Sequence, residues 1–571
     1  DGSTNDTIHS DEQNRTGTKY LPVKRNYRGY AQTQVTNPDG LVTTTWYYQN
    51  DLLSGRPYRT LTSTKDLSDE FTTLNASNWA FSHSGSRQTI GNNLAQETWL
   101  KSTTTVADWS TTTNRTSYSL TDGDMAYAQF EISGSSTQSL VGVENQSGDF
   151  FGLYAVPNGT SHDIKMRKTI GGAVTDTTIL SASAFKRDTW YEAMFFVDAN
   201  DGFHVRVWEK YAPQNYVESA ASGLNGSVPW RFTTKVYNGT VLLDSYLEGK
   251  PYAETETAYN STILYNTLSD GIPNLSSLTN FVDLQVAWST VSSTISRLFD
   301  GDYSWSGTKT TYDYNTTDQG GSQYGNLTRT VQSYWNGSQW VDYRAKLTEF
   351  HPNAGADLTI FPAREVSLDC SSGCDFSAAN GKLAESFYLY DGASSASTAP
   401  TAGKLTATRT WVNGSDYAQT SYAYDGYGNQ TGQTVYSSYG TASSAPASGA
   451  RTATTAYEAY YNTYGVTSTN ALNQTTTTAY DYTLGVANSI TDPNNAITSA
   501  TYDLFGRTLK VIAPGDSTAS PTLAITYYDT RIPFQVVLSQ KVNDSGASIR
   551  LSRFYGGLGK LIQTQTIGAV V

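Results

Sequence analysis

The sequence predicts an all-β chain in which a long succession of antiparallel hairpins is interrupted by a separate antiparallel sandwich. Three observations lead there: a composition suited to strands and turns, a recurring Tyr-Asp-x-x-Gly unit, and a central block from which that unit is missing. Of 571 residues, 80 are Thr, 62 Ser, 47 Gly and 41 Tyr. Thr and Tyr suit the pleated surface of a strand, whereas Gly and Asn take the positive φ of tight turns. Charged residues make up only 16%, and 38 Lys and Arg face 51 Asp and Glu, a net charge of −13. A weakly charged, acidic surface argues against nucleic acid as a partner, because phosphate binding needs clustered cations. The longest apolar stretches, such as residues 193–197, fall far short of the roughly 20 residues that cross a bilayer as a helix, so no membrane span is expected. The chain opens on Asp1-Gly2 without Met or an apolar leader and closes on Val571 in a strand-like stretch. A processed or partial piece of a longer polypeptide is expected.

The hairpin repeat is clearest after residue 420. Tyr424-Asp425-Gly426-Tyr427-Gly428-Asn429 recurs as Tyr502-Asp503-Leu504-Phe505-Gly506-Arg507, with weaker copies from Tyr461 and Tyr555 and a one-residue expansion from Tyr480. Spacings near 20 residues signal a repeat architecture. In each unit Tyr closes a strand, Asp bonds the turn amides, Gly takes the left-handed position, and a strand such as 508–512 leads away. A second mark, Thr491-Asp492-Pro493-Asn494-Asn495-Ala496-Ile497-Thr498, matches Thr36-Asn37-Pro38-Asp39-Gly40-Leu41-Val42-Thr43 near the other end of the chain. Both ends therefore belong to one repeat system.

These residues resemble the RHS or YD-repeat family, whose signature is Tyr-Asp-x-x-Gly with Arg or Asn next and a short strand after it. The resemblance implies hairpins wound into a long β-sheet spiral, often closed into a hollow shell. It divides the chain into an N-terminal extension over 1–19, a repeat-type segment over 20–65, diverged repeats over 250–419 and YD repeats over 420–571.

Between them, residues 66–249 lack the Tyr-Asp unit and are bracketed by Gly55-Arg56-Pro57-Tyr58 and Gly249-Lys250-Pro251-Tyr252, as an inserted domain would be. Strands are expected over 126–132, 150–156, 163–169, 190–197 and 203–208. The loop 198–202 lacks the downstream Glu and spacing of an EF-hand. In texture and strand order the block resembles a laminin G or concanavalin A-type jelly roll, which implies a sugar-binding sheet face. Along 203–208 the side chains alternate, so His204, Arg206 and Trp208 share one face and form the candidate glycan platform; an ordinary solvated sheet face is the alternative.

No catalytic constellation is visible. Glycoside hydrolysis needs two carboxylates across a cleft, and Glu131-Ile132-Ser133, the nearest fragment to a jelly-roll glycanase run, fails at the second acid. The nucleophile-elbow, zincin and P-loop motifs are missing. His9, His83, His162, His204 and His351 are scattered and read as surface or turn residues, so neither metal nor cofactor is expected. Cys370 and Cys374 have no nearby His to complete a zinc site; a small disulfide loop is favoured, with two inert thiols as the alternative.

Asn-x-Ser/Thr sites occur at about twice the frequency that Ser and Thr content alone would produce. Asn75, Asn114, Asn158, Asn225, Asn238, Asn260, Asn315, Asn326, Asn336, Asn413 and Asn473 are the glycosylation candidates, with Asn-Gly turn chemistry as the competing account. The expected function is a secreted or cell-surface, non-enzymatic scaffold, filament or adhesin that displays the sandwich. Its expected partners are copies of itself or further segments of the same polypeptide, and glycans. The alternatives are the shell segment of a larger RHS toxin and a glycoside hydrolase in the jelly roll.

Overall fold

The computed structural model describes residues 32–38 and 40–48, most of 53–69, short strands between 79 and 114, and, with short breaks, 120–266, 285–314, 324–376 and 381–570. The extension over 1–19 and the tip of the 198–202 loop lie outside the described residues. Those described are all-β, with two short 3-10 turns at Pro213–Asn215 and Ala354–Ala356 and no α-helix among them. None of them forms a helix long and apolar enough to cross a membrane. They divide into two units, the first running to Asp313 and taking in Arg329–Ala345 and Cys370–Cys374, the second comprising Tyr314–Thr328, Lys346–Asp369 and Asp375–Val571.

The first unit contains a sandwich of two antiparallel sheets. Eight strands form one sheet, in the order Val217–Ser222, Gly202–Glu209, Trp190–Val197, Met125–Ser133, Gly239–Gly249, Thr98–Thr104 and Gln88–Asn92, with Leu67–Asp69 against Gly239–Gly249. Seven form the other: Ala173–Leu180, Ser161–Ile170, Phe150–Asn158, Gln138–Asn145, Trp230–Tyr237, Ser110–Asn114 and Trp79–Phe81. Alternation puts Phe130, Phe195, Phe203, Val205 and Val207 from the first sheet against Val143, Phe151, Trp230 and Phe232 from the second, in one continuous core.

A ribbon of the same unit begins and ends beside this sandwich. Gln32–Thr36, Val42–Tyr47, Pro57–Ser63, Pro251–Asn266, Gln285–Phe299 and Trp305–Tyr314 pair antiparallel in that order. The sandwich leaves the ribbon after Ser63 and returns at Pro251, which pair with each other. The crossing is stitched by Thr64 N–H to Lys250 O at 2.9 Å and Lys250 N–H to Thr64 Oγ1 at 2.7 Å. A Cβ on Gly249 would stand 2.1 Å from Thr64 O, so only glycine lets the two strands come this close.

In the second unit each strand from Pro362–Asp369 to Leu561–Val570 pairs antiparallel with the next, an open succession rather than a closed barrel. Its turns explain the repeat. Asp425 Oδ1 accepts the amides of Tyr427 and Asn429, and Asp503 Oδ1 those of Phe505 and Arg507, all at 2.9 Å. Gly428 and Gly506 sit at φ +93° and +75°, the left-handed geometry expected of them. The Tyr that opens each unit donates to a carbonyl near the start of the preceding strand: Tyr424 to Leu405, Tyr457 to Gln430, Tyr480 to Gly465 and Tyr502 to Ala487. The second mark is also one turn used twice: Asn37 N–H bonds Leu41 O, and Asp492 N–H bonds Ala496 O, with Gly40 and Asn495 at positive φ.

Candidate functional site

The outer face of the eight-stranded sheet was the expected platform, and its strands do align the expected residues. Register sets Arg206 beside Met194 and Trp208 beside Glu192, with Gln129 opposite Glu192 on the far side. This face, however, does not meet solvent. Trp46, Tyr58 and Leu61 of the ribbon pack with Met125, Tyr127, Met194, Phe196, Trp208 and Leu247 of the sheet in a second apolar core. Arg206 and Trp208 are 1% and 3% exposed, so neither can stack on a sugar, and the glycan platform is corrected on that ground. His204, beside them, is about one-fifth exposed and its Nδ1 lies 3.7 Å from Glu218 Oε1.

What the face holds instead is a buried polar clamp. Glu192 accepts from Tyr58 Oη at 2.6 Å, Trp208 Nε1 at 2.7 Å and Gln129 Nε2 at 3.2 Å, and is fully buried. Burial pushes its carboxyl up, against the hydrogen bond from Tyr58 and the charge of Arg59. Next to it, Glu254 bridges three guanidinium groups: Arg59 Nε at 2.8 Å, Arg297 Nη1 at 3.0 Å and Arg206 Nη1 at 3.6 Å. Arg297 also reaches Glu256 Oε1 at 2.8 Å. Burial alone would raise the Glu254 carboxyl, but the three cations overrule it and hold it at about 2. Glu256, with burial and the Glu254 charge against it, is raised. Arg59 lies over the rings of Trp46, Tyr127 and Trp208, where aromatic faces replace water around a cation.

This arrangement binds parts of the molecule to one another. Glu131, the acid singled out in the sequence, sits diagonally from Glu192 on the same sheet face and is also raised by burial; Glu192 is the second carboxyl that sequence inspection missed, because it comes from another strand. Glu131 accepts from Ser133, while the Glu192 oxygens are committed and sealed beneath Tyr58. A second cluster was also not legible in the sequence. In the second unit, Glu385 accepts from Arg364 at 2.6 Å, Lys382 at 2.8 Å and the Tyr417 hydroxyl, tying three strands together. Burial opposes charge on Glu385, yet these donors hold its carboxyl low.

The other candidates separate by exposure. Asn158, Asn225, Asn260, Asn336, Asn413 and Asn473 are exposed. Asn326 is buried and its amide donates to Thr359 O at 2.7 Å, which leaves no room for a glycan and corrects that site. Asn75, Asn238 and Asn315 lie outside the described residues, as does the side chain of Asn114, although its strand is described. Cys370 and Cys374 are joined in a disulfide. His162, expected at the surface, is buried with Nε2 at 2.8 Å from Thr137 O, and burial lowers its pKa. No group of three or more metal-ligating side chains occurs among the described residues.

No known family matches the chain, and no curated protein matches it. Among solved structures, it is similar to the crystal structure of TcdB2-TccC3-Cdc42 at 11% identity and TM-score 0.37, over 92% of this chain and 37% of that one. The chain thus spans about a third of that structure's length. Over about a third of this chain there is likeness to the apo Crh5 transglycosylase, at 12% identity and TM-score 0.24 over 86% of that chain. The carbohydrate binding module CBM66 from Bacillus subtilis is similar over 31% of this chain and 97% of its own, at 13% identity and TM-score 0.22.

Proposed function

We propose that the chain is a non-catalytic extracellular or cell-surface scaffold, in which a repeat-built ribbon holds a sandwich domain in one fixed orientation. The observation that carries this reading is the clamp of Glu192, Arg59, Glu254, Arg206 and Arg297. The sandwich face that carries Glu192, Arg206 and Trp208 is spent on holding the ribbon. Its carboxylates are consumed by internal donors, the opposite of a site poised for substrate. In this reading the partners are further copies or further segments of the same polypeptide. Among the described residues, the Leu561–Val570 strand is paired on one side only, and its other side offers a row of amide and carbonyl groups to a strand. The exposed Asn sites would carry glycan in a secreting host.

The test is a reducing-end assay on soluble polysaccharides, run on the full chain and on Glu192→Gln, together with small-angle scattering across concentration. No sugar release and a concentration-dependent assembly are expected. Release that disappears in Glu192→Gln would overturn the reading in favour of a hydrolase.

A further inference from the structure

In the second unit every second turn falls on the same edge of the sheet. The turns at 425–429, 458–464, 481–485, 503–507, 529–533 and 556–560 each follow a strand that runs toward that edge. Bulky apolar side chains stand at their tips. Tyr427, Tyr460, Tyr461 and Tyr482 project from the first three turns. On the last three, Leu504 is 94% exposed, Phe505 83%, Ile532 100% and Leu558 96%. The turns at 470–474, 492–496 and 513–522 point to the opposite edge, where only Leu472 is a large apolar residue of like exposure.

The turns at 503–507, 529–533 and 556–560 are braced to one another. Arg507 pairs with Asp503 in its own turn, at 2.6 Å, and with Asp529 in the next, at 2.8 Å. The rings of Phe534 and Tyr555, 5.9 Å apart, join the bases of the second and third turns. Asp503 also accepts the amides of Phe505 and Arg507, so both carboxylates on these turns are engaged from within. Two cations are not. Arg531 lies over the Tyr528 ring and donates to the neutral Gln535, without a carboxylate among the described residues, and Lys560 is exposed.

We propose that this edge docks on an anionic lipid bilayer, with Leu504, Phe505, Ile532 and Leu558 entering the boundary between headgroups and acyl chains, and Arg531 and Lys560 meeting the lipid phosphates. The tips stand apart, since successive turns on one edge lie two strand spacings, about 9.5 Å, from one another. A folded partner would need a separate pocket for each tip, whereas a fluid layer receives all of them at any spacing. Cations beside apolar tips match the negative surface potential of such a layer, and apolar burial and charge attraction add in holding a protein there. Sheet twist, roughly 20 to 25° per strand, limits how many tips can share a plane. The aliphatic and Phe tips are confined to three successive turns, a stretch of about 19 Å along the edge. The tyrosine turns before them rotate out of that plane, where amphipathic rings suit the headgroup level. Attachment of this kind is peripheral and requires no span. The inference goes beyond the scaffold reading and does not depend on it, since it requires neither assembly nor the clamp.

Flotation of the full chain with vesicles of phosphatidylcholine mixed with phosphatidylglycerol, and with vesicles of phosphatidylcholine alone, tests it. The chain should float with the mixed vesicles and bind the neutral ones at least tenfold more weakly. The quadruple variant Leu504→Ser, Phe505→Ser, Ile532→Ser, Leu558→Ser removes only side chains that are at least 83% exposed, so it should keep its circular dichroism and lose tenfold or more in binding. Arg531→Gln with Lys560→Gln should weaken binding to the mixed vesicles by about fivefold per cation. Because the two native cysteines are joined in a disulfide, Leu558→Cys can carry a polarity-sensitive fluorophore. Its emission should shift to the blue on mixed vesicles, while the same label at Leu472→Cys on the opposite edge should not respond. No flotation of the parent, equal flotation with both vesicles, equal shifts from the two labels, or unchanged binding by the folded quadruple variant would overturn the proposal. So would a smaller oligomer in that variant without flotation of the parent, which would assign the tips to a second copy of the chain.

Discussion

Tyr502 shows how little a single residue needs in order to be diagnostic. Its hydroxyl donates to Ala487 O at 2.6 Å, while Asp503 and Gly506 behind it close the turn. Tyr502→Phe should cost about 0.5 to 1.5 kcal/mol, one hydrogen bond, and Gly506→Val about 1 to 3 kcal/mol, the strain of a β-branched residue at positive φ. Urea titration of the full chain, followed through the repeat tyrosines, checks both, and equal midpoints for Gly506→Val and the parent would refute the turn assignment. In the clamp, Arg297 is sealed against two glutamates, and Arg297→Met should cost about 3 to 5 kcal/mol because it strands their charge. Acid should act through Glu254. Held near 2, its carboxyl binds a proton more weakly folded than unfolded, so its stabilisation is complete above about pH 4.5 and drains away toward pH 2. Glu256, raised by burial, works in the opposite sense and is relieved by protonation. The urea midpoint should therefore fall below pH 4.5 in the parent and fall less in Glu254→Gln.

At the scale of elements, strand pairing is set by where side chains can be omitted as much as by where they pack. Gly142 and Gly152 face each other across the 138–145 and 150–158 strands, with the Phe150 ring over both. A Cβ at Gly142 would meet Phe151 O at 2.3 Å, and one at Gly152 would meet Val141 O at 2.5 Å. Either glycine to alanine should lower stability by about 1 to 3 kcal/mol through overpacking, read as a drop in melting temperature. A neutral result at both would mean that the strands stand further apart than described. The alternation along 203–208 was correctly read from sequence as to faces, with Phe203, Val205 and Val207 in the sandwich core. Its consequence for His204, Arg206 and Trp208 was not, because alternation tells which residues share a face and is silent on what lies over that face.

For the molecule as a whole, the stitched crossing at Thr64 and Lys250 makes excision of the sandwich an informative experiment. A fragment of residues 65–249 keeps the main core but uncovers Met125, Tyr127, Met194, Phe196, Trp208 and Leu247. It should show strand-type circular dichroism, bind a hydrophobic dye strongly and self-associate, since an apolar sheet face is left bare. Restoring residues 32–64 and 250–314 should abolish dye binding. A monomeric fragment with no dye binding would show that the ribbon is dispensable to that face.

The sequence by itself determined the local chemistry: the all-β class from composition, the repeat from Tyr-Asp-x-x-Gly, the positive φ of Gly428 and Gly506, and the strand faces from alternation. Each is a property of residues a few positions apart, which local sterics and hydrogen bonding decide without knowledge of the rest of the chain. Only the tertiary structure decided the environment of those faces. It sealed Trp208 beneath Tyr58 and Arg59, some 150 residues earlier in the chain, buried Arg206 beside Glu254, buried Asn326 against Thr359, and gathered Tyr427, Tyr460, Tyr482 and Phe505 on one edge. Burial and juxtaposition arise from long-range contacts whose partners carry no mark in the local pattern, so the same residue reads as surface in sequence and as clamp in space.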